Sequence, residues 1–328
     1  MRAPDASARA LRTPGAIPVL LYHAVMDDPP SWIAEFTVTP RDFAAHLDAI
    51  VAGGRTPITV STLADHLPAA APGHRTHRPT TFPSAPETSP SLSACPPTPT
   101  PTPTPTPAPP PAPAPPAAPL PPRPVVLTFD DGFADLPGPT AEALAARALP
   151  ATAYLTTGAI TPGRTSLLPP APMMRLAQAP ALESYGMEVG AHTVTHPPLD
   201  TLRPAALLGE LRASKQALED TLGHEVAHLA YPHGYNSRAV RRAAASAGYS
   251  SAVAVRHALS SVHDEPYRIA RLIVRRRHTV ADVEAWMAGA PARGERARVA
   301  PFPDSPATLG WRLYRSARAR VRGPEFAG

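Results

Sequence analysis

Between Pro68 and Pro124 the chain runs through PTPTPTPTPTPAPPPAPAPPAAPLPP with almost no large apolar side chain, so this stretch cannot bury a core. It holds nearly half of the chain's 48 prolines. Its Thr-Pro repeat favours extended polyproline II, in which about thirty residues would reach roughly 90 Å. A fold must therefore be assembled from two pieces, 14–67 and 125–300. A long disordered Pro/Thr-rich insert, 68–124, separates them, and a basic tail, 301–328, follows. Together the two pieces have the size of one α/β barrel.

Both pieces alternate apolar runs with helical periodicity. IPVLLYH reads as a buried strand ending in His23. The following TPRDFAAHLDAIVAGG has Thr39 as N-cap, Pro40 at the first helical position, and Phe43, Leu47 and Ile50 on one face. PITVSTLADHL gives a short strand and a helix start. Beyond the insert, PVVLTF, PATAYLTT, MEVGAH, EVAHLAYP and YSSAVAV read as strands. Between them lie helical stretches at TAEALAARAL, ALESYG, PAALLGELRASKQALEDTLG and SRAVRRAAASAG. In the third of these, Leu207, Leu211, Leu218 and Leu222 fall near one face and Gly223 ends the helix. Strands alternating with helices imply parallel strands with crossover helices; an open sheet and a closed barrel both satisfy the pattern.

Titratable residues collect at one end of these strands. VVLTF runs into Asp130 and Asp131, MEVGA into His192, HLAYP into His233, PVLLY into His23, and AVAV into Arg256 and His257. In parallel α/β folds the chemistry gathers at the C-terminal strand ends. His192 belongs to HTVTH, which puts His196 four residues on, a spacing able to converge on one ion from a helix or a tight loop. Asp-Gly is also ordinary turn chemistry, and two of 13 histidines four residues apart are no site by themselves. Taken together, the pair and the doublet make a His-His-Asp metal site suited to hydrolysis with zinc or a similar divalent ion. One carboxylate then binds the ion while the other takes a proton from the attacking water.

TFDDG, HTVTH and AYPHG, in that order, resemble the polysaccharide deacetylases, the NodB-homology group of carbohydrate esterase family 4. PVLLYHAV and TPRDFAAHL resemble the permuted arrangement of the exopolysaccharide-type deacetylases. The resemblance spans most of the chain outside the insert and the last thirty or so residues. It implies a distorted (β/α) barrel, a divalent metal, usually Zn2+, and hydrolysis of N-acetyl groups on amino sugars. It makes Asp130 the general base and Asp131, His192 and His196 the metal ligands. His233, after Pro232, stands where many members carry a tyrosine whose backbone N–H helps hold the oxyanion, and that backbone donation survives the change of side chain. Two departures follow. Ala230 stands where many members carry the arginine that orients the base, and Arg271, in YRIARLIV, is the candidate to supply that charge from another strand. The usual late Leu-x-x-His is missing, since His257 and His278 lack the leucine; Leu20 and His23 show that spacing near the N-terminus, which makes His23 the candidate general acid.

The net charge of +5 is concentrated in RLIVRRRH and WRLYRSARARVRG. No nucleic-acid motif or aromatic interleaving accompanies it. It reads as a solvated basic face, with weak attraction to an anionic surface as the second reading, because Trp311 and Tyr314 flank the arginines. The one cysteine, Cys95, lies in the insert and excludes a disulfide framework. No run spans a membrane and no signal peptide is evident, so the default location is cytoplasmic, with wall association as the alternative. The expected activity is metal-dependent removal of N-acetyl groups from an amino-sugar polymer or oligosaccharide. The alternatives are an O-acetyl esterase, a deacylase of a small acylated metabolite, and a non-catalytic carbohydrate-binding protein.

Overall fold

Eight parallel strands carry the site. The computed structural model describes residues 15–68, 119–292 and 306–322. Most of the expected insert lies outside the described residues. The strands are β1 Val19–Tyr22, β2 Ala24–Val25, β3 Thr37–Val38, β4 Thr56–Ile58, β5 Pro124–Asp131, β6 Ala151–Leu155, β7 Met187–Ala191, β8 His228–Ala230, β9 Ser251–Val253 and β10 Leu272–Ile273. They pair in the order β10-β1-β5-β6-β7-β8-β9, β4 lies along the first half of β5, and β2 and β3 form a separate pair. Register places Val19 beside Val126, Phe129 beside Ala153 and Leu229 beside Ala252.

One short segment decides between open sheet and barrel. Ile269 bonds to β9, its N–H to Ala252 at 3.2 Å and its carbonyl to the N–H of Ala254 at 2.8 Å. Three residues later Leu272 pairs with Leu20 on β1. Residues 269–273 thus bridge the two ends of the sheet, and the result is a distorted (β/α) barrel, as the motifs implied.

The helices are α1 Pro40–Ala52, α2 Val60–Ala64, α3 Ala141–Ala145, α4 Thr157–Ile160, α5 Ala179–Ser184, α6 Pro204–Leu222, α7 Arg238–Ser246, α8 Val280–Met287 and α9 Pro306–Arg322. Thr39 caps α1 by accepting the Asp42 N–H at 3.1 Å, and Phe43, Leu47 and Ile50 are buried. Gly223 ends α6 with φ 80°, a left-handed conformation that glycine adopts without a Cβ clash. The helix expected over TAEALAARAL is shorter, because the chain turns at Ala148 (φ 51°) to enter β6. The fold also resumes slightly before residue 125: Leu120 packs on the core and β5 begins at Pro124. The C-terminal stretch expected as a basic tail contains a helix, α9.

Strand alternation divides the apolar side chains into two layers. Val19, Val126, Tyr154, Ala230, Val253 and Ile269 pack together inside the barrel. Leu20, Leu127, Ala153, Leu229 and Leu272 pack outward under the helices. This parity positions the chemistry, since Thr128, Asp130 and Arg271 share the inward register.

Candidate active site

Asp130 ends the inward row of β5. Strict alternation would send Asp131 to the helix side, but its φ of 74° breaks the strand and swings the carboxylate back over the barrel mouth. Gly132 follows at φ 89° and completes the reversal. Both acids therefore face one site from adjacent positions.

His192 leaves the end of β7 and His196 closes a tight loop, in which Thr193 and His196 take φ of 67° and 62°. The loop is held from three sides. The Gly158 N–H reaches the Val194 carbonyl at 2.8 Å, where a Cβ at 158 would lie 2.6 Å from that oxygen. Leu167 N–H bonds the Thr195 carbonyl at 2.8 Å. From α6, Glu210 accepts the N–H groups of Val194 and Thr195 at 2.8 and 2.9 Å and the Thr195 hydroxyl at 2.6 Å. Glu210 escapes the sequence reading because a charged residue on an amphipathic helix reads as solvent-facing.

The donor set fits a cation. Nε2 of His192 and of His196 lie 3.6 and 3.4 Å from Oδ1 of Asp131, too far for good hydrogen bonds and all turned inward. One donor atom from each of the three buried residues lies within 4.8 Å of the others. Oδ1 of Asp131 is buried with no hydrogen-bond partner. Nδ1 of His192 is 2.8 Å from the Ala230 carbonyl, so Nδ1 carries the proton and Nε2 keeps its lone pair for a metal. Burial holds both imidazoles below their ordinary pKa, hence neutral, as ligation requires. Burial and then the charge of Asp130 push the Asp131 carboxyl well up, a cost that an ion at this point would offset.

Asp130 is treated differently. Burial alone would raise its carboxyl, but Arg271 and His192 hold it below the usual range. Arg271 is fully buried and bidentate, Nη1 and Nη2 each 2.7 Å from one carboxylate oxygen. Its Nη1 also donates to the Thr128 hydroxyl at 3.2 Å, and Nε donates to the Ala254 carbonyl at 3.3 Å. The ring of Tyr154 lies 5.7 Å from the guanidinium carbon. Ala230 is small and lines the same interior layer, consistent with the charge entering from the segment that closes the barrel.

His23, at the end of β1, is half-buried against the Phe36 ring at 5.4 Å, and its buried Nδ1 has no hydrogen-bond partner. Burial lowers its pKa to about 4, and it feels the charges of Asp130, Arg271 and His192, which places it beside the doublet. Pro232 is buried, and His233 takes φ 57° in the turn after β8, its ring 4.7 Å from that of His196. Burial lowers the His233 imidazole to about 3. His257 and His278 do not join this group; they pack on Trp286 at 6.0 and 4.8 Å.

Residues 117–252, which contain all three motifs, match the polysaccharide deacetylase family, and this bears out the resemblance they carry. Among solved structures, the chain is similar to the Streptococcus pyogenes deacetylase PplD in complex with acetate, with 21% identity and TM-score 0.60 over 85% of this chain and 100% of that one. IcaB from Ammonifex degensii is 20% identical, with TM-score 0.58 over 84% and 97% of the two chains. The BpsB deacetylase domain from Bordetella bronchiseptica is 20% identical, with TM-score 0.54 over 79% and 96%. At such identities the likeness is one of fold. No curated protein matches in sequence.

Proposed function

Starting from a chain that matches the polysaccharide deacetylases, we propose that it is a divalent-metal-dependent hydrolase that removes N-acetyl groups from an amino-sugar polymer or oligosaccharide and releases acetate. The observation that carries this reading is the division between the two acids. Asp131 faces His192 and His196, while Asp130 beside it is clamped by Arg271.

Asp131, His192 and His196 would hold the ion, most readily Zn2+ given two imidazoles and one carboxylate. When bound, it supplies acidification of water and polarisation of the acetamide carbonyl. Asp130, kept ionised and oriented by Arg271, takes the proton of the attacking water. Oxygen bonds to the acetamide carbon, and the backbone N–H of the Pro232-His233 turn steadies the developing oxyanion. The C–N bond then breaks, and His23 hands a proton to the leaving amine. His23 rests neutral, with a pKa of about 4, so it must first gain that proton. The one Asp130 removes from water is available for it.

Acetate release from N-acetylchitooligosaccharides, set against acetylated xylan, tests the assignment. Release from the first, abolished by a chelator and restored by a divalent cation, is expected. Preference for xylan would make the protein an O-acetyl esterase, and release from neither would leave deacylation of a small metabolite or carbohydrate binding as the function.

A further inference from the structure

Helix α9 turns one of its arginines inward. Arg315 turns inward, donating to both oxygens of Asp200 at 2.9 and 2.7 Å and covering the Tyr235 ring at 3.6 Å. That anchor fixes the rotation of the helix about its axis. At 100° per residue, Leu313, Ala317 and Val321 then fall on the side away from the protein, with Tyr314 on its flank. Leu313 is 68% exposed, Tyr314 55% and Val321 86%, and Trp311, 52% exposed, stacks on Tyr314 at 5.4 Å. An outward face of this composition is unusual on a solvated helix.

We infer that α9 is an interfacial helix that seats the protein on an anionic lipid bilayer. The sequence 306–322 contains Arg312, Arg315, Arg318, Arg320 and Arg322 and no acidic residue. A second copy covering the stripe would bring two five-arginine helices together, a like-charge contact. A bilayer bearing anionic headgroups accepts the apolar stripe in its acyl boundary and the flanking guanidinium groups at headgroup level. Trp and Tyr suit that depth. Among the described residues no helix is long and apolar enough to cross a membrane.

The position of α9 adds a direction. The indole N–H of Trp311 lies 3.5 Å from the Tyr235 hydroxyl, the Tyr235 ring 5.8 Å from that of His233, and His233 beside His196. The bilayer would therefore meet the end of the barrel that carries the strand-end histidines. The inference does not depend on the reaction proposed above, and its test uses no turnover.

The test is sedimentation of the full chain with phosphatidylglycerol/phosphatidylcholine vesicles and with phosphatidylcholine alone. Binding to the anionic vesicles, weakening as salt is raised, is expected. The double substitution Leu313→Glu, Val321→Glu should lower it by about tenfold or more. Both side chains lie in solvent, so the thermal midpoint should not change. Equal binding by wild type and variant, no preference for anionic lipid, or no binding at all would overturn the inference. So would a wild-type dimer that the double variant dissolves, which would make the stripe an interface between copies.

Discussion

Arg271 grips both oxygens of Asp130 from a position 141 residues further along the chain, each at 2.7 Å. The pair is buried, and it forms where residues 269–273 bridge β9 and β1. The contact that orients the proposed base is thus also part of what closes the barrel. Removing one member of a buried ion pair strands the other, at a cost of about 3–5 kcal/mol. Arg271→Met should lower the thermal midpoint accordingly. It should also raise the Asp130 pKa, so the acid limb of the kcat/KM profile moves to higher pH. Arg271→Lys keeps the charge without the bidentate fork and should fall between the two. A pH profile unchanged in Arg271→Met would separate Arg271 from the base.

The two acids should fail differently. Asp131→Ala should lose bound metal and activity together. Asp130→Asn should keep the metal, measured by elemental analysis, and lose about 10²–10⁴ in turnover. Loss of metal from Asp130→Asn would reverse the assignment.

Much of this centre is legible in the amino-acid sequence because it obeys local rules. Thr39-Pro40 announces α1, and strand ends run into Asp130, His192 and His233. The geometry that makes them a site is less local. Asp131 reaches the histidines through a positive φ that no propensity assigns to aspartate with certainty. Closure of the barrel rests on two residues, Ile269 and Leu272, bonding to different strands, in a stretch too short to show periodicity. The C-terminal arginines read as a solvated face, yet Arg315 is buried on Asp200. Charge alone does not reveal which way a helix is rolled.

Glu210 shows the same blindness and gives a further test. Its three accepted hydrogen bonds hold the loop that joins His192 to His196. Glu210→Ala leaves two backbone N–H groups without their acceptor, at roughly 1–2 kcal/mol each. It should weaken metal affinity by about 10–100-fold, as loss of outer supports does at other sites. Chelator competition on the purified protein measures this directly. Unchanged affinity would mean that Gly158 and Leu167 suffice to hold the loop.

Asp135 offers a pH test away from the proposed metal ligands. It accepts the Val25 N–H at 3.1 Å and the Thr140 hydroxyl at 2.6 Å, and burial pushes its carboxyl up to about 6. A folded-state pKa above the unfolded value means the native state holds this proton more tightly. That contribution is present below about pH 4 and is lost as pH rises through about 6. The stability of wild type relative to Asp135→Asn should therefore fall between those values, on the order of 3 kcal/mol, and stay level above them. Thermal melts across the range check the slope, and a rise instead of a fall would contradict the burial argument.

His23 carries the sharpest prediction about the reaction. It sits at the end of β1 on the site's side, its Nδ1 lacks a hydrogen-bond partner, and burial brings its pKa to about 4. Such an imidazole is neutral at rest and can shuttle a proton only within the cycle. Amide hydrolysis needs that proton on a poor leaving group; an activated ester does not. His23→Ala should fold, bind metal as wild type does, and lose about 10²–10⁴ in turnover on N-acetyl substrates. On p-nitrophenyl acetate, whose leaving group departs unprotonated, the loss should be much smaller. Equal losses on both substrates would assign His23 to packing against Phe36. Full retention on both would remove it from the reaction and make His257 and His278, despite their place against Trp286, the next residues to substitute.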